Sequence, residues 1–184
     1  MVPLLSRIKA LQEHLLETGL ARSVLALPAP RMLALPAATS DEAGYAGLFA
    51  KTVSESEILD VSRDLFASGH HSLAVQEAFK ALEKFVQMKA EAHAQSGTSL
   101  MESVFSASRP RLYWSSRKSQ SEKDEQRGYM HLYAGSMLGI RNPVTHEFKW
   151  VDEAETALEL ILFAQHLLRK AKVAAVAETG ATIT

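Results

Sequence analysis

The last part of the chain contains a segment with apolar residues on nearly every side of a predicted helix. Asp152 and Glu155 have the spacing of a helix start, and the helical pattern continues to about residue 174. The apolar positions that nearly encircle it are Leu158, Leu160, Ile161, Leu162, Phe163, Leu167 and Leu168. Because no face of such a helix is suited to water, we expect it at the centre of the fold, surrounded by other elements.

Most of the remaining sequence also has helical spacing. The predicted helices cover residues 3–18, 54–68, 71–93, 98–106 and 122–141, with a loop at 107–121. The helix at 54–68 is predicted to begin with a capping box of Ser54 and Glu57. No segment alternates apolar and polar residues over several positions, as a strand would. The sequence therefore predicts an all-α protein, an antiparallel helical bundle with an N-terminal helical and irregular extension.

Three segments are predicted along the chain. Residues 1–50 form an N-terminal helix and a connector rich in proline and alanine, in which Pro28, Pro30 and Pro36 argue against a continuous helix. Residues 51–178 form the helical domain, and residues 179–184 form a frayed tail. At 184 residues, the chain is long enough to bury a core without disulfides or metal ions.

Composition excludes several classes of function. The sequence has no cysteine, which rules out thiol chemistry, disulfides and cysteine-based zinc sites, and no group of residues has metal-ligand spacing. We predict neither a metal nor a cofactor. A formal net charge of −1 argues against a lysine-coated nucleic-acid binder, although a local basic groove is compatible with it. No apolar run is long enough to span a bilayer and no signal peptide is evident, so the sequence predicts a cytoplasmic protein without membrane contact.

The segment Arg141–His146 is the main candidate site. Five residues along an unbroken α-helix rotate by roughly 140°, so Arg141 and His146 would face different directions. Pro143 disfavours helical geometry at Asn142, and asparagine is a good helix N-cap. We therefore predict that one helix ends at Arg141 and that Asn142 begins a short turn carrying His146. Such a kink would bring the arginine and the histidine to one cleft, whereas the alternative is a helix-end arginine and a surface histidine.

Four segments in order resemble those of a known superfamily. The string GIRNPVTH, Gly139–His146, is similar to the Arg-x(4–6)-His motif of HEPN proteins, including the polar residue after the arginine. The segments 69–80 (GHHSLAVQEAFK), 97–101 (GTSLM) and 126–128 (QRG) resemble the Ymh-type, abortive-infection-like branch. The resemblance covers about residues 55–172. It implies a HEPN-type helical bundle and a homodimer with the motif at its interface.

The resemblance also implies a reaction and roles for the motif residues. It predicts a metal-independent endoribonuclease, in which the 2′-OH of RNA attacks the adjacent phosphate. His146 would act as general base or acid, and Arg141 would stabilise charge on the phosphoryl group. Asn142 would cap the turn, orient His146 or contact RNA. The motif supplies one histidine from each chain, whereas the reaction benefits from both a base and an acid, and a two-fold dimer would supply a second copy.

A basic loop between two predicted helices is the first candidate for an RNA-binding surface. It contains Arg109, Arg111, Tyr113, Trp114, Arg117 and Lys118. Basic side chains can follow a phosphate backbone, and aromatic rings can stack on unpaired bases. The alternative is a solvated loop in which Trp114 or Tyr113 is anchored in the core.

Two functions remain open from the sequence. The first is a HEPN ribonuclease, the toxin of a phage-defence or abortive-infection system, with an antitoxin or another defence protein as partner. The second is a non-catalytic HEPN module that dimerises and binds nucleotide, RNA or a partner protein.

Overall fold

The computed structural model describes residues 42–146 and 150–177, together with His14 and Glu17. The helices of this part are α1 (Glu42–Thr52), α2 (Ser56–Ala67), α3 (His71–Lys89), α4 (Gly97–Val104), α5 (Gln120–Ser136), α6 (Asn142–His146) and α7 (Ala154–Val173). A π-helical segment, Met137–Arg141, joins α5 to α6, and two short strands are β1 (Leu112–Tyr113) and β2 (Ala175–Val176). The predicted all-α bundle is therefore confirmed.

The chain divides into two compact units, residues 1–39 and 40–184, and the elements named above all belong to the second. His14 and Glu17, the two described residues of the predicted helix 3–18, are helical. The other predictions for residues 1–41, and the predicted tail 179–184, lie outside the described residues. Helix α1 was not predicted, and it crosses the boundary that we expected after residue 50.

Helix starts in this bundle rely on long-range partners as well as local caps. The predicted capping box at Ser54 and Glu57 is wrong, because the N–H groups of Ser54 and Glu55 donate to Oε1 of Gln165 in α7 at 2.7 and 3.1 Å. Helix α7 is preceded by Glu153, whose side chain makes no capping bond, so the predicted Asp152 cap is also wrong. The two hydrogen bonds to Gln165 connect the start of α2 to α7, and they satisfy N–H groups that have no partner within a helix.

Helices α3 and α7 form the centre of the fold. The buried side chains of α7 cover about half of its circumference: Ala154, Ala157, Leu158, Ile161, Ala164, Gln165, Leu167, Leu168 and Ala171. The prediction of a helix surrounded on nearly every side is wrong, because Glu155, Glu159 and Arg169 are exposed on the opposite side. Helix α3 ends at Lys89 rather than at residue 93, because Glu91 adopts a left-handed φ of 51° and the Ala92 N–H donates to the Gln87 carbonyl. This arrangement is a Schellman motif, which terminates an α-helix.

A two-stranded antiparallel ribbon closes the end of α7. Leu112 pairs with Val176 and Tyr113 pairs with Ala175, and Leu112 is fully buried. The prediction of no strands is wrong at this place, because two residues per strand are too few to show a period-2 pattern. The ribbon fixes the chain that follows α7 to the basic loop between α4 and α5.

Charged residues reinforce the contact between α2 and α7. Glu55 accepts hydrogen bonds from Arg169 and Lys172, both at 2.7 Å, and these bonds lower the pKa of the Glu55 carboxyl. Lys172 also bonds Glu57 at 2.7 Å. No helix of the described part has the length and apolar character required to cross a bilayer.

Candidate functional site

The backbone at the Arg141–His146 motif widens but does not break. Asn142 has helical angles, φ −66° and ψ −50°, and its N–H donates to the Met137 carbonyl five residues earlier. The predicted helix end at Arg141 and the predicted Asn142 cap are therefore wrong. A proline inside an α-helix collides with the carbonyl four residues earlier, and the wider π turn directly before Pro143 relieves this collision. Such π turns are frequent at functional sites.

Arg141 is held against α3 by a buried carboxylate. Its Nη2 lies 3.2 Å from Oε2 of Glu83, and the side chains are 25% and 8% exposed, respectively. Its Nη1 donates to Oδ1 of Asn142 at 3.3 Å. The Nε atom is buried and has no hydrogen-bond partner among the described residues. The guanidinium therefore sits in a defined position at the edge of the bundle and remains partly open to solvent.

Sequence reasoning missed Glu83, although a signal for it was present. Phe79 and Val86, four residues before it and three residues after it, are fully buried, so Glu83 lies on the apolar face of α3. A carboxylate on a buried face requires a partner of opposite charge or strong hydrogen bonds. Glu83 has both, because its second oxygen accepts the Gly97 N–H at the start of α4.

Hydrogen bonds hold residues on both sides of His146 in the sequence. The Thr145 hydroxyl donates to the Arg141 carbonyl at 2.7 Å, which fixes α6 to the π-helical segment. Beyond α6, the Val151 N–H donates to Oγ of Ser72 at 2.9 Å, near the first turn of α3. Ser72 and Glu83 are about 16 Å apart along the helix axis. Arg141 and Val151, which flank His146 in the sequence, therefore contact α3 at two points about 16 Å apart.

The structure leaves the predicted pairing of Arg141 with His146 untested. His146 is the last residue of α6, but its side chain lies outside the described residues. The two residues thus share one continuous run of π- and α-helix beside α3. The positions of Arg141 and Asn142 are given by their contacts with each other and with Glu83.

The basic loop separates into a packed part and an exposed part. The Trp114 ring stacks on Phe105 at 5.3 Å and lies 5.2 Å from the Tyr129 ring, and its N–H donates to the Lys170 carbonyl at 2.7 Å. The Lys170 ammonium lies 5.1 Å from the same ring. These contacts support the core-anchor alternative for Trp114, because little of the ring is left for a base.

The other loop residues differ in the freedom of their side chains. Arg117 lies over the half-buried Tyr113 ring at 6.0 Å, and its Nη1 donates to the carbonyls of Ala107 and Ser108. Arg111 is exposed, and its Nη1 donates to the Ala90 carbonyl at 3.3 Å. Arg109 and Lys118 have exposed side chains. Only part of the predicted RNA-binding surface is thus exposed to solvent.

The structure does not bring this loop to the motif. Trp114 contacts Tyr129, and about three helical turns, roughly 18 Å, separate Tyr129 from Arg141 along α5 and the π-helical segment. An RNA that touched both places would have to extend along α5. The loop is therefore not a neighbour of Arg141.

A substitution at Trp114 separates the two interpretations of the loop. We expect Trp114→Ala to lower the free energy of unfolding by about 3 kcal/mol, because it removes a large ring from a packed aromatic cluster. Arg109→Ala should leave it within about 0.5 kcal/mol, since that side chain is exposed. Urea unfolding followed by circular dichroism measures both. A Trp114→Ala protein as stable as the wild type would contradict the core-anchor interpretation.

The residues of the described part do not form a cluster of three or more histidine, aspartate or glutamate side chains able to hold a metal ion.

A family model with the description "Protein of unknown function (Hypoth_ymh)" matches residues 53–171, which is more than half of the chain. No curated protein and no solved structure matches the chain. The matched range contains Glu83, Arg141, Asn142 and His146.

Proposed function

The chain belongs to the Hypoth_ymh family, and we propose that it is a metal-independent endoribonuclease of HEPN type. The observation that carries this proposal is the setting of Arg141. Its guanidinium is partly exposed and held in place at the end of a π-helical segment, five residues before His146 on the same run of helix. An arginine fork is suited to phosphate oxygens, and a histidine moves protons near neutral pH.

The reaction is a transfer within the RNA itself. A general base removes the proton of a 2′-OH, and this oxygen forms a bond to the adjacent phosphorus. The bond from phosphorus to the 5′ oxygen of the next nucleotide breaks, and a general acid gives that oxygen a proton. The products are a 2′,3′-cyclic phosphate and a 5′-OH. His146 moves the protons, and Arg141 stabilises the added charge on the phosphoryl oxygens.

A homodimer is part of the proposal, because the base and the acid would be His146 from two copies of the chain. The exposed face of α5 and the π-helical segment supports self-association beside the motif. It carries Gly128, Leu132, Gly135, Leu138 and Gly139, with the leucines 45% and 62% exposed. A methyl group added at any of the three glycines would meet no described atom within 4 Å apart from the neighbouring backbone of its own helix. Within the protomer these glycines only weaken the helix.

One observation favours a second function, a non-catalytic module that dimerises and binds RNA, nucleotide or a partner protein. The Glu83 carboxylate neutralises part of the charge of Arg141, as expected for an arginine whose main role is to join α3 to the π-helical segment. In that case Arg141 would contribute to stability rather than to cleavage.

The biological setting follows from the resemblance to abortive-infection HEPN proteins. We propose a cytoplasmic toxin in phage defence, held in check by an antitoxin or another defence protein.

Cleavage of labelled single-stranded RNA in the presence of EDTA tests the proposed function. We expect the wild type to release fragments that end in 2′,3′-cyclic phosphates, which can be identified by mass spectrometry. The expected rate is unaffected by the chelator, since no step uses a metal ion. A folded, dimeric wild type that binds RNA without cleaving it would instead support the binding module.

A further inference from the structure

Glu83 connects three elements of the fold through one buried carboxylate. It is 6% exposed on α3, its Oε2 pairs with Arg141, and its Oε1 accepts the N–H of Gly97. Ser96 precedes α4 but its side chain makes no capping bond, so Glu83 takes this role. A negative charge at a helix start is favourable, because the free N–H groups there carry partial positive charge.

The pair with Arg141 restricts a side chain that is otherwise flexible. An arginine has several rotatable bonds and loses rotamer entropy when it is fixed on a ligand. Here Nη2 of the guanidinium is ion-paired with Glu83, and Nη1 donates a hydrogen bond to Asn142. The guanidinium has five N–H donors, so others remain for a phosphate. The entropy of ordering Arg141 is thus lost during folding rather than when RNA binds.

We propose that Glu83 is a positioning residue, which holds the Arg141 guanidinium in the orientation that contacts the phosphate of the RNA. This inference rests on the proposed function. Glu83 acts through Arg141 and touches neither the RNA nor the transferred proton. Its own negative charge makes it unsuitable as a phosphate ligand, and its burial keeps it away from the substrate.

Glu83→Gln is the test variant, because it has nearly the same size and lacks the charge. We expect kcat to fall by about 10- to 100-fold with a smaller change in KM, the scale seen when a residue that orients a catalytic group is lost. Gly69→Ala is the structural control. Gly69 has a left-handed φ of 74°, so alanine strains the backbone there, and it lies at the end of α2 rather than at the site. Glu102→Gln, at an exposed position of α4, removes the same negative charge and controls for the change in net charge.

The decisive measurement is a double-mutant cycle of the wild type, Glu83→Gln, Arg141→Ala and the double variant. Cleavage is compared at equal concentrations of folded protein. If Glu83 acts through Arg141, Glu83→Gln should change cleavage less than about twofold in the Arg141→Ala background. The same cycle is measured in the binding of RNA whose 2′-OH groups are replaced by hydrogen, so that it does not depend on residual cleavage. An equal loss in both backgrounds would overturn the proposal. So would a Glu83→Gln loss no larger than that of Gly69→Ala.

The inference and the proposed function fail in different ways. A wild type that does not cleave RNA overturns the proposed function, and the catalytic role of Glu83 with it. Failure of the inference alone leaves wild-type cleavage intact and removes only the coupling between Glu83 and Arg141.

Discussion

Replacing His146 with alanine is expected to lower the rate of RNA cleavage by about 10²- to 10⁴-fold, the usual contribution of a general acid or base. In a symmetric dimer the substitution removes both histidines of the site, so we expect the upper part of this range. RNA affinity should change less than the rate, because in the proposed site Arg141 makes the main contact with the phosphate. Single-turnover cleavage and a binding titration of the same labelled RNA measure the two effects separately. His93→Ala, at an exposed position beyond α3, is the matched control.

Arg141→Ala should also lower the rate of RNA cleavage, but by removing a positive charge that stabilises the transition state rather than a group that moves a proton. Loss of one group that stabilises developing charge costs about 10²- to 10³-fold in kcat. Arg141→Lys keeps the positive charge without the planar fork and should recover only part of this loss. Arg127 is the matched control on α5, since its contact is a 3.0 Å ion pair with Asp124 in which both side chains are exposed. If both motif variants cleave at the wild-type rate, the activity comes from a contaminating nuclease.

Helices with a continuous apolar pattern could be predicted from the sequence. The pattern around α7 correctly indicated a helix with many core residues, because its buried positions are all apolar except Gln165, but the side that carries Glu159 and Arg169 is exposed. The caps could not be predicted from local sequence. Gln165 accepts the N–H groups of Ser54 and Glu55, more than 100 residues earlier, so the local pair of Ser54 and Glu57 is not used.

The candidate site could be located from the sequence, but its geometry could not. The arginine and histidine spacing marked residues 141–146, and the Asn-Pro pair indicated irregular backbone. Whether a chain breaks before a proline or widens into a π turn depends on the packing of the following helix, here α6 against α3. The partner of Arg141 is set by the bundle, because Glu83 is distant in sequence. Trp114 was ambiguous for the same reason, since its aromatic neighbours are Phe105, directly after α4, and Tyr129 in α5.

A charge placed on the exposed leucine of the π-helical segment should separate the protomers and abolish most of the activity. We expect Leu138→Asp to be a folded monomer, because this side chain is 62% exposed and contributes little to the core of its own chain. A dimer that packs this face against its own copy would bury two opposed aspartates, which is unfavourable for association. Light scattering coupled to size-exclusion chromatography measures the mass.

Cleavage by Leu138→Asp should fall by about 10²- to 10⁴-fold, because each site loses the histidine of the second copy. Met88→Asp is the control, since Met88 is a comparably exposed apolar residue on α3, 54% exposed, and should stay dimeric and active. Gly135→Ala refines the test. Alanine should raise the helix stability of the protomer by about 0.5–1 kcal/mol and yet weaken the dimer if the partner backbone lies against Gly135. A fully active Leu138→Asp monomer would show that one chain holds a complete site. If Leu138→Asp remains a dimer, the dimer interface lies on another surface of the protein.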